Sequence, residues 1–131
     1  MTILVIGGSF QGKKDYVRDA FGPTDGERDG AIMTDQEYIL AERVQNLHLF
    51  VKASLAKGRE PTELIRFIVS HAAGKILVCD DICSGIIPMD AKEETWRETT
   101  GRLLCQLTSI ADTVMRVQCG IPQTLKGELP C

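Results

Sequence analysis

Thr2-Ile-Leu-Val-Ile-Gly-Gly-Ser-Phe-Gln-Gly-Lys-Lys14 runs an apolar segment straight into a glycine-rich turn. Residues 2–6 are mostly β-branched or aliphatic and are bounded by Gly7-Gly8, the pattern of a short strand buried on both faces. Beyond the turn, residues 13–21 place Val17, Ala20 and Phe21 on one side of a helix that Gly22-Pro23 stops. The spacing from Gly7 to Gly12 and Lys13 fits G-x-x-x-x-G-K-[ST], the P-loop pattern, except that Lys14 stands at the hydroxyl position. In such a loop the backbone N–H groups of residues 8–13 converge on an anion at the positive end of a helix, and the lysine reaches the outer phosphates. The loop therefore predicts a nucleotide site built from Gly7, Gly8, Ser9, Phe10, Gln11, Gly12, Lys13 and Lys14. A lysine at position 14 brings three donors and a charge but no lone pair, so Mg²⁺ coordination from that position is lost.

Outside the loop, a length of 131 residues fits one domain with a real core, expected over residues 1–126 with a loosely ordered tail at 127–131. The net charge of −3, with no clustered basic stretch, argues against general nucleic-acid binding. The N-terminal apolar run is too short for a signal peptide, and no segment has the length and apolarity of a membrane span. Five cysteines without C-x-x-C spacing fit reduced thiols in the cytoplasm better than disulfides or zinc.

Further along, residues 31–34 read as a brief second strand ending at Asp35. Leu40, Val44, Leu47, Val51 and Leu55 recur at steps of three and four, which predicts one helix over residues 35–57. Pro61 opens another helix, with Leu64, Ile65, Ile68, Val69 and Ala72 as its stripe, closing at Gly74. Residues 75–79 form a third apolar run that delivers Asp80-Asp81 and then Cys83-Ser84-Gly85 into a loop. Asp90 and Glu93 make a capping box ahead of a helix carrying Trp96, Leu103, Leu104, Leu107 and Ile110. Residues 113–118 read as a strand, with 123–125 returning beside it. Strands alternating with helices predict an α/β fold, a P-loop NTPase-like three-layer α/β/α arrangement around a mostly parallel sheet, with ligands at the carboxyl ends of the strands.

The residues together resemble the adenosylcobinamide kinase/adenosylcobinamide-phosphate guanylyltransferase family of cobalamin biosynthesis. Ile3-Leu-Val-Ile-Gly-Gly-Ser-Phe-Gln-Gly-Lys13 is similar to that family's opening strand and Gly-Gly-x-x-x-Gly-Lys-Ser loop. Ile76-Leu-Val-Cys-Asp-Asp-Ile-Cys-Ser-Gly-Ile-Ile-Pro88 is similar to its strand followed by Asn-Glu-Val-Gly-x-Gly-Ile-Val-Pro, and the likeness continues through Trp96-Arg97, Gly101-Arg102, Ala111-Asp112 and Gln118-Cys-Gly-Ile121.

The resemblance implies ATP or GTP as cofactor, Mg²⁺ with Asp35 as a ligand, a cobinamide-like small-molecule acceptor and homo-oligomers. It implies catalytic roles for Lys13, Asp35 and Asp81, with Asp80, Gly85 and Arg102 as further candidates. It also exposes departures: Lys14 for serine, Cys83 for glycine and Leu104 for asparagine. Only eight residues lie between Gly22 and Ala31, leaving no room for the family's second strand and the helix that bears its guanylylated histidine. The expectation is a shortened relative whose kinase half is retained over its guanylyltransferase half. A non-catalytic relative that binds nucleotide or another anion as a regulatory or assembly partner is the alternative. His48 and His71 are expected as solvent-facing or core-edge residues.

Overall fold

A computed structural model of the chain describes residues 1–8, 12–82 and 90–127. In chain order the elements are β1 (Ile3–Gly7), α1 (Lys13–Phe21), β2 (Glu27–Asp29), α2 (Asp35–Leu40), β3 (Arg43–Gln45), α3 (Leu47–Ala56), α4 (Pro61–Ser70), β4 (Ile76–Asp80), α5 (Ala91–Ile110), β5 (Thr113–Gln118) and β6 (Ile121–Lys126). They build one six-stranded sheet in the order β2-β3-β4-β1-β5-β6. Every pairing is parallel except that of β6, which returns antiparallel beside β5. The α/β class and the mostly parallel sheet are as the sequence implied.

The period of two along β1 divides the core. Leu4 and Ile6 join Val44, Leu77, Cys79 and Val114 under α2 to α5, whereas Ile3 and Val5 join Val78 and Val117 against Val17 of α1. Helices thus cover both faces, which is why β1 carries no polar alternation. The first cluster also buries Tyr38, whose ring stacks on Phe50 at 5.7 Å and whose hydroxyl donates to the carbonyl of Ile68 at 2.7 Å.

Two expectations for the middle of the chain are corrected. Residues 31–34 form no strand: the strand is β2, inside the charged connector, and residues 31 and 32 belong to a turn. The single helix over residues 35–57 is instead α2, β3 and α3 in succession. Thr34 caps α2 with a reciprocal capping box, its hydroxyl accepting from the Glu37 N–H while Glu37 accepts from the Thr34 N–H. The chain then extends at Ala41, pairs Val44 with Leu77, and turns through a left-handed Asn46 (φ 55°) into α3. Val44 satisfied a helical spacing by coincidence; its pairing across the sheet decides its conformation. α4 also ends earlier than expected, at Ser70. The cap at Asp90 holds, accepting from the Glu93 N–H at 2.8 Å. The tail expected over residues 127–131 lies, from residue 128, outside the described residues.

Topology places the site. β1 and β4 are neighbours, but the helix after β1 packs on one face of the sheet and the helix after β4 packs on the other. Two adjacent parallel strands whose connections leave in opposite directions open a crevice at their carboxyl ends, where α/β sheets bind ligands.

Candidate phosphate-binding edge

Gly7 ends β1 where a side chain has no room: a Cβ there would collide with the carbonyl oxygen of Val117 and lie against the methylenes of Lys13. Gly12 has φ 86°, a left-handed conformation that glycine adopts without penalty, and it leads α1 off the turn with no side-chain cap. The first N–H groups of α1 are therefore not bonded by a capping side chain, and they carry the positive end of the helix dipole. Ser9, Phe10 and Gln11, the middle of the expected loop, lie outside the described residues, as do Gly85, Cys83 and Pro88 of the second loop.

Lys13 is the first residue of α1, and its side chain turns back toward the carboxyl edge of the sheet. Its Nζ donates to the carbonyl of Gly8 at 2.6 Å and pairs with Asp80 Oδ1 at 2.7 Å. The lysine is 7% exposed and the Asp80 side chain 16%. Lys14, by contrast, is exposed. Asp80 closes β4, in register with Gly7. Next to it, Asp81 donates its N–H to the Gly7 carbonyl at 2.8 Å, and its Oδ2 pairs with Arg116 Nη2 of β5 at 3.4 Å. Lys13, Asp80 and Asp81 are thus brought together at the β1–β4 crevice.

A third partner at this edge was not foreseen. His48 is buried in the first turn of α3, and its ring lies against Asp80. The Asp80 N–H donates to Nδ1 at 3.1 Å, and Nε2 lies 3.4 Å from Oδ2. Because Nδ1 accepts, the proton sits on Nε2, and the ring is neutral in this arrangement. Burial is the main force lowering the His48 pKa from its ordinary value; Asp80 and Asp29 oppose it, and Lys13 and Lys52 add to it. Trp96 of α5 fixes the residue from outside, donating its indole N–H to the His48 carbonyl at 2.8 Å, with the two rings stacked at 6.3 Å.

Other candidates lie elsewhere. Asp35 opens α2, and its carboxylate meets Arg59 Nη1 at 2.8 Å near the surface; the strand that was to precede it is absent. The acid that does close a strand in this region is Asp29, whose Oδ1 accepts from the Asn46 amide at 3.1 Å and from the Ala31 N–H at 2.9 Å. Arg102 reaches the Thr62 hydroxyl at the start of α4, 3.4 Å away. His71 caps α4, ahead of the start of β4 and so at the opposite edge of the sheet, with its ring 5.0 Å from that of Phe67. No group of His, Cys, Asp and Glu among the described residues is arranged to hold a metal by itself.

A groove of about 1130 Å³ runs along α5 from the crevice. Ile6 and Asp81 form its inner end, and Arg97, Arg102, Leu104 and Cys105 line its length. Arg97 also donates through Nε to the carbonyl of Ile82 at 3.0 Å, tying α5 to the segment after β4. Among the described residues no helix is long and apolar enough to cross a membrane.

The sequence model of cobinamide kinase / cobinamide phosphate guanyltransferase matches residues 29–125, from the end of β2 into β6. The match takes in Asp80, Asp81, His48 and the α5 groove and leaves the glycine loop outside it. No curated protein matches the chain. With about three-quarters of its length matched, and with a parallel sheet whose central crevice gathers a lysine and two acids, the chain belongs to the cobinamide kinase / cobinamide phosphate guanyltransferase family.

Proposed function

We propose that this chain is a phosphotransferase of the cobinamide kinase type, binding ATP or GTP at the loop after β1 and a cobinamide-like acceptor in the groove along α5. The observation that carries the reading is Lys13: a nearly buried cation at the start of a helix without a side-chain cap, held by one carboxylate at the crevice between β1 and β4. Phosphate oxygens entering this place would take over Lys13 Nζ and the first N–H groups of α1, with exposed Lys14 adding charge from outside. Phosphoryl transfer rests mainly on positioning and charge neutralisation, and these residue types supply both.

Asp81 lies where the groove meets the crevice, placed to orient the acceptor hydroxyl. The hydroxyl oxygen would bond to the terminal phosphorus as the bridging P–O bond breaks, the diphosphate leaves, and the hydroxyl proton passes to the Asp81 carboxylate. Mg²⁺ is the metal such a reaction class uses. It takes most of its ligands from phosphate oxygens and water rather than from a protein cage. Here Lys14 offers it nothing, and Asp35 faces Arg59, so the protein's own contribution reduces to the carboxylates at the edge.

Neither histidine supports the guanylyltransferase half: His48 is buried with its Nδ1 taken by the Asp80 N–H, and His71 is at the opposite edge of the sheet. The segment between α1 and β2 is five residues long and contains no helix.

The test is incubation with cobinamide, ATP or GTP and Mg²⁺, followed by mass spectrometry of the corrinoid. The expected product is cobinamide phosphate, absent when nucleotide is omitted. Lys14 favours a second reading, a non-catalytic relative that binds nucleotide or another anion as a regulatory or assembly partner. Under that reading, metal-free nucleotide binds at least as well as its Mg²⁺ complex and no phosphate reaches the acceptor.

A further inference from the structure

Arg116 is a charge in a strand otherwise built for the core. β5 sends Val114 to the face of the sheet covered by α2 to α5 and Val117 to the face covered by α1, and the period of two puts Arg116 on the same side as Val114. Its register partner on β1 is Ile6, which faces the same way and forms the inner end of the groove along α5. An aliphatic side chain would suit such a position. Arg116 instead reaches past the end of β1 and donates through Nη2 to Asp81 Oδ2 at 3.4 Å. Two consecutive acids thus hold two different cations: Asp80 holds Lys13 at the start of α1, and Asp81, at the inner end of the groove, holds Arg116. The second pair is longer and wetter than the first, with the Arg116 side chain 37% exposed against 7% for Lys13. Its guanidinium can therefore exchange partners at smaller cost.

We propose that Arg116 is a specificity-determining residue of the acceptor site, which binds the phosphate monoester that the acceptor carries after transfer. This rests on the acceptor groove and the role of Asp81 proposed above. The ester oxygen of the product is the hydroxyl oxygen that Asp81 orients, so the transferred phosphate arrives beside the side chain that Asp81 already holds. Next to an aspartate a phosphate dianion is repelled unless a cation stands with it. Arg116 supplies that cation, and its planar fork matches two phosphate oxygens at once. Lys13 meets the phosphates as they enter on the nucleotide, and Arg116 meets the one phosphoryl group that crosses to the groove. No bond is made or broken beyond those of the transfer itself.

The test compares two ligands on one protein: calorimetric titration of cobinamide and of cobinamide phosphate in the absence of nucleotide. The native protein is expected to bind the phosphate ester about tenfold more tightly, as an added hydrogen bond between charged groups predicts. In Arg116→Gln, with folding checked by urea unfolding, that preference is expected to vanish while cobinamide itself binds as to the native protein. Arg116→Lys keeps the charge without the fork and is expected to retain part of the preference, which gives the same reading should the glutamine variant not fold.

An arginine that acted only by fixing Asp81 would have no further effect once that carboxylate is gone. In an Asp81→Asn background, Arg116→Gln is still expected to weaken binding of the ester. A folded Arg116→Gln protein that keeps the native preference overturns the inference, as does a native protein that binds cobinamide and its phosphate equally; both results leave the acceptor groove standing. Binding of neither corrinoid by the native protein overturns the acceptor groove and the role of Arg116 together.

Discussion

Two ion pairs in this molecule close to nearly the same distance and stand in opposite circumstances. Lys13 and Asp80 meet at 2.7 Å with 7% and 16% of their side chains exposed, whereas Arg59 and Asp35 meet at 2.8 Å with 26% and 51% exposed. Water screens the second pair, and little net energy attaches to it. The first has given up most of its hydration, so its attraction is stronger, its desolvation cost is larger, and removing one member leaves the other stranded. Distance alone would rank them together. Burial, and the neighbouring ring of His48, separates the pair in the β1–β4 crevice from the pair near the surface.

The largest expected effect breaks the buried pair. Asp80→Ala leaves the nearly buried Lys13 without its carboxylate partner and is expected to destabilise the fold by about 3 kcal/mol, read from urea unfolding. Gly7→Ala drives a methyl group into the Val117 carbonyl at the foot of the same site. It is expected to cost about 2 kcal/mol, a typical overpacking penalty, and to displace Lys13 as well; unfolding and nucleotide titration read the two effects separately.

Acid sharpens the comparison, because it acts on one region only. Burial lowers the His48 pKa from its ordinary 6.5, so just below that pH the unfolded chain binds a proton that the native ring refuses. The stability tied to the neutral ring is therefore complete above about pH 6.5 and is lost as pH falls toward the lower folded-state value. Melting temperatures taken between pH 8 and 5 should show this decline in the native protein and not in His48→Phe. The smallest effect belongs to the exposed pair: Asp35→Ala is expected to change stability by no more than about 0.5 kcal/mol and to leave nucleotide binding unchanged. A larger loss at Asp35 than at Asp80 would invert the comparison.

The same contrast explains what could be read in the sequence. β1, α1, β4, α5 and β5 were legible because each is either a continuous apolar run or a stripe with a recognisable end, as at Asp90. β2 and β3 were not. Each is three residues long, and β3 is a strand because it lies between β2 and β4, a fact of tertiary pairing that local preference does not carry.

His48 was missed for the same reason. Within one long helix it reads as a solvent-facing or core-edge residue, and nothing brings it to the edge of the sheet. Once the helix breaks at Asn46, it stands in the first turn of α3 at the carboxyl edge of the sheet. Two local signals marked the break: the Thr34–Glu37 capping box, which starts a short helix, and Asn46, a residue suited to left-handed backbone. Asp35 was singled out on the strength of a strand that is not there, and the acid that does end a strand in that region is Asp29.

The measurement that bears most directly on the account is calorimetric titration of ATP and GTP, with and without Mg²⁺, into the native protein and into Lys13→Ala. Saturable binding by the native protein, lost in the variant, is the predicted result, with preference for the Mg²⁺ complex marking the kinase. Binding unchanged in Lys13→Ala, or no binding of either nucleotide under any condition, would contradict the assignment of the β1–β4 crevice as a phosphate site.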